Sequence, residues 1–282
     1  MLKTIFINLF KISIAAGLIY WLINSGKLDF NLIKDLIRSP FPVFLAMTLS
    51  LLNFWLISLR WREILKARSA IHIPASGLFR VTWIGQFFSS VLPGSVSGDL
   101  VKMLYVQNYN KELSKKFLLV SILVDRVIGL CGLILLVGFS SLFFSSYLLK
   151  MSPGLKPLLM TNYLLCFLVL SGLTVFFFFH QFMRNILLKL ETRFLKTLWQ
   201  NIILLWDDLI SIKSRILKTV LISLVVQFIG VLIFWSLIHE NVAEKMDFIQ
   251  ALAFIPIGLM TLALPIAPSG LGVGHAIFQK LF

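Results

Sequence analysis

Acidic side chains are scarce: 12 Asp and Glu stand against 26 Lys and Arg in 282 residues, and charged residues of both signs make up only 13% of the chain. A soluble domain of this length needs far more polar surface, so the composition excludes one. Cysteine is nearly absent. Cys131 and Cys166 both sit inside apolar runs and read as small packing residues, not as a disulfide or a catalytic thiol. The four histidines, His72, His180, His239 and His275, are scattered without ligand spacing, and no P-loop, GxSxG or HExxH occurs. No cofactor, no metal and no enzyme activity are therefore expected. The longest stretch between apolar runs, 181–218, is too short to fold as a catalytic domain of its own.

What the chain has in abundance is hydrocarbon. It is 59% hydrophobic, with a mean hydropathy of +0.93. Apolar runs of about 20 residues, the length that spans a bilayer, recur at 4–24, 41–59, 127–149, 158–179, 217–238 and 248–265, with a shorter, interrupted stretch at 77–97. Lys3 and Lys11 precede the core of the first run as in a signal peptide, but no small-x-small cleavage site follows. The expectation is an all-α, polytopic transmembrane helical bundle, residues 1–282 forming a single integral membrane domain.

Orientation follows from the basic residues, which stay in the cytoplasm. Segment 60–80 carries Arg60, Arg62, Lys66, Arg68 and Arg80 against Glu63, and 102–116 carries four lysines against Glu112. If both are cytoplasmic, the stretch between them enters and returns on one side, as a re-entrant hairpin over 77–99. Linker 181–218 is basic and reads as inside, while 240–247, with three acids and one lysine, reads as outside. The N-terminus is then cytoplasmic, in an inner, cytoplasmic membrane. Topology and attraction to anionic headgroups account for the net charge of +14. Nucleic acid is excluded as a partner, because no basic soluble domain carries it.

Within the linker, 181–216 is amphipathic. Leu187, Leu190, Phe194, Leu198, Ile202, Leu205, Leu209 and Ile212 recur at helical spacing, as for a helix lying in the headgroup plane. A plain connector packed on the bundle fits the same pattern. Asp207 and Asp208 resemble half of a metal site, but a solvated face explains them without a second acidic cluster.

Two short motifs break the apolar pattern. "LPGSVSG" at 92–98 and "LPIAPSG" at 264–270 share Leu, Pro, Ser and Gly at the same spacing. Pro93 and Pro265 remove a backbone donor, and Gly98 and Gly270 permit reversal beside Ser97 and Ser269. Lipid does not tolerate the unpaired backbone this leaves, so it must face protein or a wet cavity. Matched Pro/Gly interruptions in two halves are the signature of an inverted repeat with its binding site at the midplane. The first hairpin would enter from inside and the second, within 248–282, from outside. Pro and Gly capping ordinary spans remains the plainer reading.

Charges accompany the first turn. Asp99 follows it directly, with Lys102 three residues on and on the same helical face. An Asp at membrane depth needs a partner or a polar cavity; at the interface it would act as a helix cap. Asp125 and Arg126 point about 100° apart on a helix, so each needs its own partner. Residues 127–149 can span without them, which leaves both either at the cytoplasmic rim or in a cavity. In either position Arg126 suits a lipid phosphate, which a guanidinium matches with two parallel bonds.

Taken together, "RW" at 60–61, "LPGSVSGDLVKM" at 92–103, "DRVIGL" at 125–130 and "LPIAPSGLGVGHAIF" at 264–278 resemble the lysylphosphatidylglycerol synthase transmembrane region, or flippase-like, family. The resemblance runs over most of the chain. It implies a bundle with re-entrant elements that moves a charged-headgroup lipid, phospholipid or polyprenyl-phosphate, between leaflets. By the motif match Asp99, Lys102, Asp125 and Arg126 form the polar functional set, and the two turns, including Gly272, form the cavity floor. His275 departs from the pattern where relatives usually carry Glu, and the chain stops at "FQKLF" where relatives usually continue. The expected function is lipid translocation. The alternative is a membrane subunit serving a separate lipid-modifying transferase; either such a transferase or a second copy of the chain is the expected protein partner. A narrow solute channel would need a ring of like charges, and none is present.

Overall fold

In the computed structural model residues 40–66, 73–91, 97–109, 113–151, 153–189, 196–211, 213–241 and 247–263 are described. The first apolar run and the turns at 92–96 and 264–270 lie wholly or mainly outside them. So do Pro93, Pro265, Ser269, Gly270, Gly272 and His275.

Among the described residues all regular structure is helical. The order is α1 (Pro40–Leu65), α2 (Ala75–Val91), α3 (Ser97–Tyr109), α4 (Lys115–Met151), a 3-10 turn (Pro153–Leu155), α5 (Lys156–Phe178), α6 (His180–Lys189), α7 (Lys196–Ser211), α8 (Lys213–Asn241) and α9 (Phe248–Ala263). Helices α1, α4, α5 and α8 are long and apolar enough to cross a membrane. They present Phe44, Leu51, Phe143, Phe167, Phe178 and Leu221 outward. Inside lie Ser58, Ser121, Asn162, Thr219 and Ser223 together with apolar side chains. Large apolar groups outside and small polar ones between helices are the arrangement hydrocarbon favours, because lipid tails give no hydrophobic drive for helices to associate.

Helix starts follow local chemistry. Pro40 opens α1, a position where the missing N–H costs nothing. Before α9, the Asp247 N–H donates to Gln250 Oε1 at 3.0 Å, half of a capping box. Gln250 Nε2 also donates to Tyr147 Oη at 3.0 Å, which ties α9 to α4.

Helix α8 packs most extensively on α1 and also against α4 and α9, while α4 touches α1, α3, α5 and α9. Apolar clusters join these elements, one of them seating Val231 of α8 against Ala251 and Ile255 of α9. Trp61, Leu78, Val106, Phe117 and Leu118 knit α1, α2, α3 and the start of α4. Ile64, Ile128, Phe176 and Val220 join α1, α4, α5 and α8. Leu133, Val137, Leu159 and Phe254 seat α9 against α4 and α5.

Helices α2 and α3 form an antiparallel pair: Gly77 faces Tyr109, while Gly85 faces Gly98 and Lys102. At 17 and 13 residues both fall short of a span. Helix α2 ends at Val91 and α9 at Ala263, each immediately before one of the two Leu-Pro motifs.

The structure revises two expectations. Arg60, read as part of a basic cytoplasmic loop, lies inside α1 and is 5% exposed. Helix α4 begins twelve residues before the apolar run at 127, and the two charged residues just ahead of that run are paired, Asp125 with Arg60 and Arg126 with Asp99. The described residues of linker 181–216 fall in α6, α7 and the first residues of α8. Helix α6 has no buried residue. Helix α7 leans on the bundle through Ile203 and through Trp206, whose ring meets Phe176 edge-on at 5.6 Å. Arg184 forks onto Asp207 at 2.8 and 3.2 Å, which joins α6 to α7. That hydrogen bond, and then the charge behind it, raises the Arg184 pKa further above its ordinary value. Among the described residues no cluster of three or more metal-ligating side chains forms.

Among the described residues, one buried side chain is unsatisfied at both of its polar atoms. Asn162 on α5 is fully buried beside Cys166 and Gly138, and neither of its amide atoms has a partner. Removing an unmet polar group recovers its desolvation cost, so Asn162→Leu is expected to stabilise the protein by about 1–3 kcal/mol. Thermal unfolding in detergent reads the effect, and a lowered midpoint would show that the amide is bonded in the folded protein.

Candidate functional site

The interior charges gather where α1, α2, α3 and α4 meet. Arg60 comes from the last turns of α1. Its Nε and Nη2 donate to Asp125 Oδ1 and Oδ2 at 2.7 and 2.9 Å, a two-bond fork, and Nη1 donates to Ser223 Oγ on α8 at 2.8 Å. Trp61, the next residue, donates from Nε1 to Ser121 Oγ at 3.1 Å. The "RW" pair thus joins α1 to α4 twice.

Asp99 lies in the first turn of α3, where a negative charge also suits the helix dipole. The carboxylate is buried. Lys102 Nζ stands 3.1 Å from Oδ1, and Arg126 Nε donates to Oδ2. The i,i+3 face expected for Asp99 and Lys102 is therefore the face on which they meet. Arg126, one residue after Asp125, reaches a different partner, as the 100° between neighbouring positions requires. Its side chain is 41% exposed.

Between these groups is a cavity of about 170 Å³. Arg60, Asp99, Lys102, Asp125 and Arg126 line it, together with Ile57, Trp61 and Ile122. Helix α2 closes it with Thr82, Gln86 and Ser89. Those three recur at i, i+4 and i+7, one face of a helix. Sequence reasoning missed this stripe and missed Arg60 as an interior residue. The helical spacing of these three uncharged polar residues is the signal that marks the stripe. Thr82 is 3% exposed and its Oγ1 has no hydrogen-bond partner.

The α2–α3 contact sets the cavity's shape. A Cβ on Gly98 would collide with the Gly85 carbonyl oxygen and with Ser89 Oγ, and a Cβ on Gly85 would stand 2.5 Å from Lys102 Cγ. The absent side chains let the Lys102 stem lie against α2 and deliver its ammonium to Asp99.

Of the residues expected to form the site, the structure brings together Gly98, Asp99, Lys102, Asp125 and Arg126, and places the last two in a cavity. The family model for the lysylphosphatidylglycerol synthase TM region matches residues 8–282. The chain belongs to that family. Comparison with curated proteins and with solved structures found no match. Membership together with the four long apolar helices makes this a membrane protein of a lipid-related family, and among the described residues it holds a cavity lined by acidic and basic side chains.

A second charged group lies at the end of α1. Glu63 meets Lys66 at 2.7 Å, Arg215 at 3.3 Å and Lys218 at 3.5 Å, joining α1 to the start of α8. It does not line the cavity.

Proposed function

We propose that this chain is a lipid translocator that moves a lipid with a charged headgroup between the leaflets of the cytoplasmic membrane. The observation that carries the reading is a cluster of five acidic and basic side chains around a cavity in a bundle that turns large apolar side chains outward. Charges at membrane depth are costly and mark substrate paths. In this reading the headgroup engages Asp99, Lys102 and Arg126 while its chains stay in the bilayer between helices. The short α2–α3 pair acts as a re-entrant element. The Leu-Pro motif after α9 supplies its counterpart from the opposite face, and the bundle alternates access around the two.

Reconstitution tests this. Purified protein in vesicles carrying a chain-labelled charged phospholipid should exchange it between leaflets faster than protein-free vesicles do. Asp99→Asn and Arg126→Ala each remove a charged hydrogen bond and should slow exchange by about ten- to a hundredfold, with unchanged incorporation into the vesicles. Wild-type rates in both variants would make the cluster structural. No exchange above protein-free vesicles by the unaltered protein would end the reading.

A further inference from the structure

The cavity carries a preference for one sign of charge. Its described lining residues include three cations, Arg60, Lys102 and Arg126, against two carboxylates, Asp99 and Asp125. Both carboxylates are engaged on both oxygens. Asp125 accepts two bonds from Arg60, and Asp99 faces Lys102 on one oxygen and Arg126 on the other. An incoming ammonium would find no uncompensated carboxylate among these residues and would enter a site with one net positive charge, where like charges repel across a low-dielectric interior.

An anion meets the opposite situation. Lys102 has three N–H donors, and Asp99 takes one of them. Thr82 offers a buried hydroxyl with no partner, on the face of α2 that lines the cavity. A buried hydroxyl without a partner is costly, and native structures rarely keep one without a ligand or water to meet it. The volume of about 170 Å³ holds a phosphate with its nearest substituent, and it is smaller than the roughly 300–1,000 Å³ of sites that engulf a whole drug-sized ligand.

We infer that the cavity takes the phosphate of an anionic lipid headgroup without a cationic substituent. Lys102 and Arg126 neutralise the phosphate, and Thr82 Oγ1 donates to one of its oxygens. This rests on the translocator reading and adds the substrate class: a small phosphomonoester or phosphodiester lipid in place of an aminoacylated one.

The test measures binding, so that it stands apart from transport. Full-length protein in phosphatidylcholine nanodiscs is titrated with phosphatidic acid, with lysyl-phosphatidylglycerol and with inorganic phosphate, and bound lipid is read by native mass spectrometry. Phosphatidic acid should bind more tightly than either of the others. Thr82→Val should weaken it by about tenfold, the worth of one hydrogen bond to a charged group, without lowering the unfolding midpoint, and Thr82→Ser should restore it. Lysyl-phosphatidylglycerol binding as tightly as phosphatidic acid, or Thr82→Val binding like the wild type, would overturn the inference. Equal affinity for inorganic phosphate would also overturn it, by making the site one for soluble anions. Binding as expected with no leaflet exchange would leave the phosphate site standing and remove the translocator reading alone. Exchange of the aminoacylated lipid in preference to phosphatidic acid would do the reverse.

Discussion

Arg60→Ala is expected to destabilise the protein by about 3–5 kcal/mol, the cost of leaving a buried carboxylate without its counter-ion. The guanidinium makes three hydrogen bonds, two to Asp125 on α4 and one to Ser223 on α8, from a side chain that α1 supplies. Its loss therefore loosens three helices at once. Arg60→Lys cannot reproduce the fork, because an ammonium is a point donor and not a planar pair; it should recover only part of the loss. Arg60→Met combined with Asp125→Leu removes both charges and should come within about 1 kcal/mol of the wild type, since a well-packed apolar pair commonly replaces a buried ion pair without cost. Thermal and denaturant unfolding in detergent measure all three. A single Arg60→Ala as stable as the wild type would mean that water reaches Asp125.

The same pair shows why hydropathy located the spans but not the ends of the helices that carry them. Apolar runs at 41–59 and 127–149 correspond to helices at 40–65 and 115–151. A window of residues sees Arg60, Glu63, Asp125 and Arg126 as exits from the membrane. A folded chain gives them distant partners: Arg60 and Asp125 pair across 65 residues, Arg126 and Asp99 across 27, and Glu63 meets Arg215 across 152. That pairing is tertiary, and no local pattern encodes it. The cost falls on orientation as well: Arg60 is not a loop cation, although the basic character of 60–80 still rests on Arg62, Lys66, Arg68 and Arg80.

The site was legible where its geometry is local. An i,i+3 step places Lys102 over Asp99, and the 100° step separates Asp125 from Arg126; both relations are properties of any helix. The choice of Arg60 and Asp99 as their partners was not legible, because it depends on how four helices meet. Thr82, Gln86 and Ser89 were overlooked for a different reason. Uncharged polar residues scarcely lower an apolar average, so α2 read as the apolar arm of a re-entrant hairpin, without the polar face that lines the cavity.

Gly98→Val is expected to reduce leaflet exchange by about a hundredfold or more, because a shift of about 1 Å in a positioned group is worth that much. A side chain at Gly98 would run into the Gly85 carbonyl oxygen and Ser89 Oγ, so α2 and α3 would have to separate. Backbone cannot yield as a side chain can, and overpacking of this kind costs about 1–3 kcal/mol. Separation would carry Asp99 and Lys102 away from the α2 stripe that faces them, opening the cavity while leaving the Arg60–Asp125 tie intact. Gly85→Ala should do less. Its new methyl meets the Lys102 stem at 2.5 and 2.7 Å, a flexible chain that can move aside, although the Gly98 carbonyl at 2.9 Å stays close. Gly172→Ala on α5 is the control, since a Cβ there meets nothing within 4 Å; exchange should be unchanged. Exchange rates measured together with unfolding midpoints separate the two effects. If Gly98→Val kept the wild-type rate, the close crossing of α2 and α3 would have no part in shaping the path.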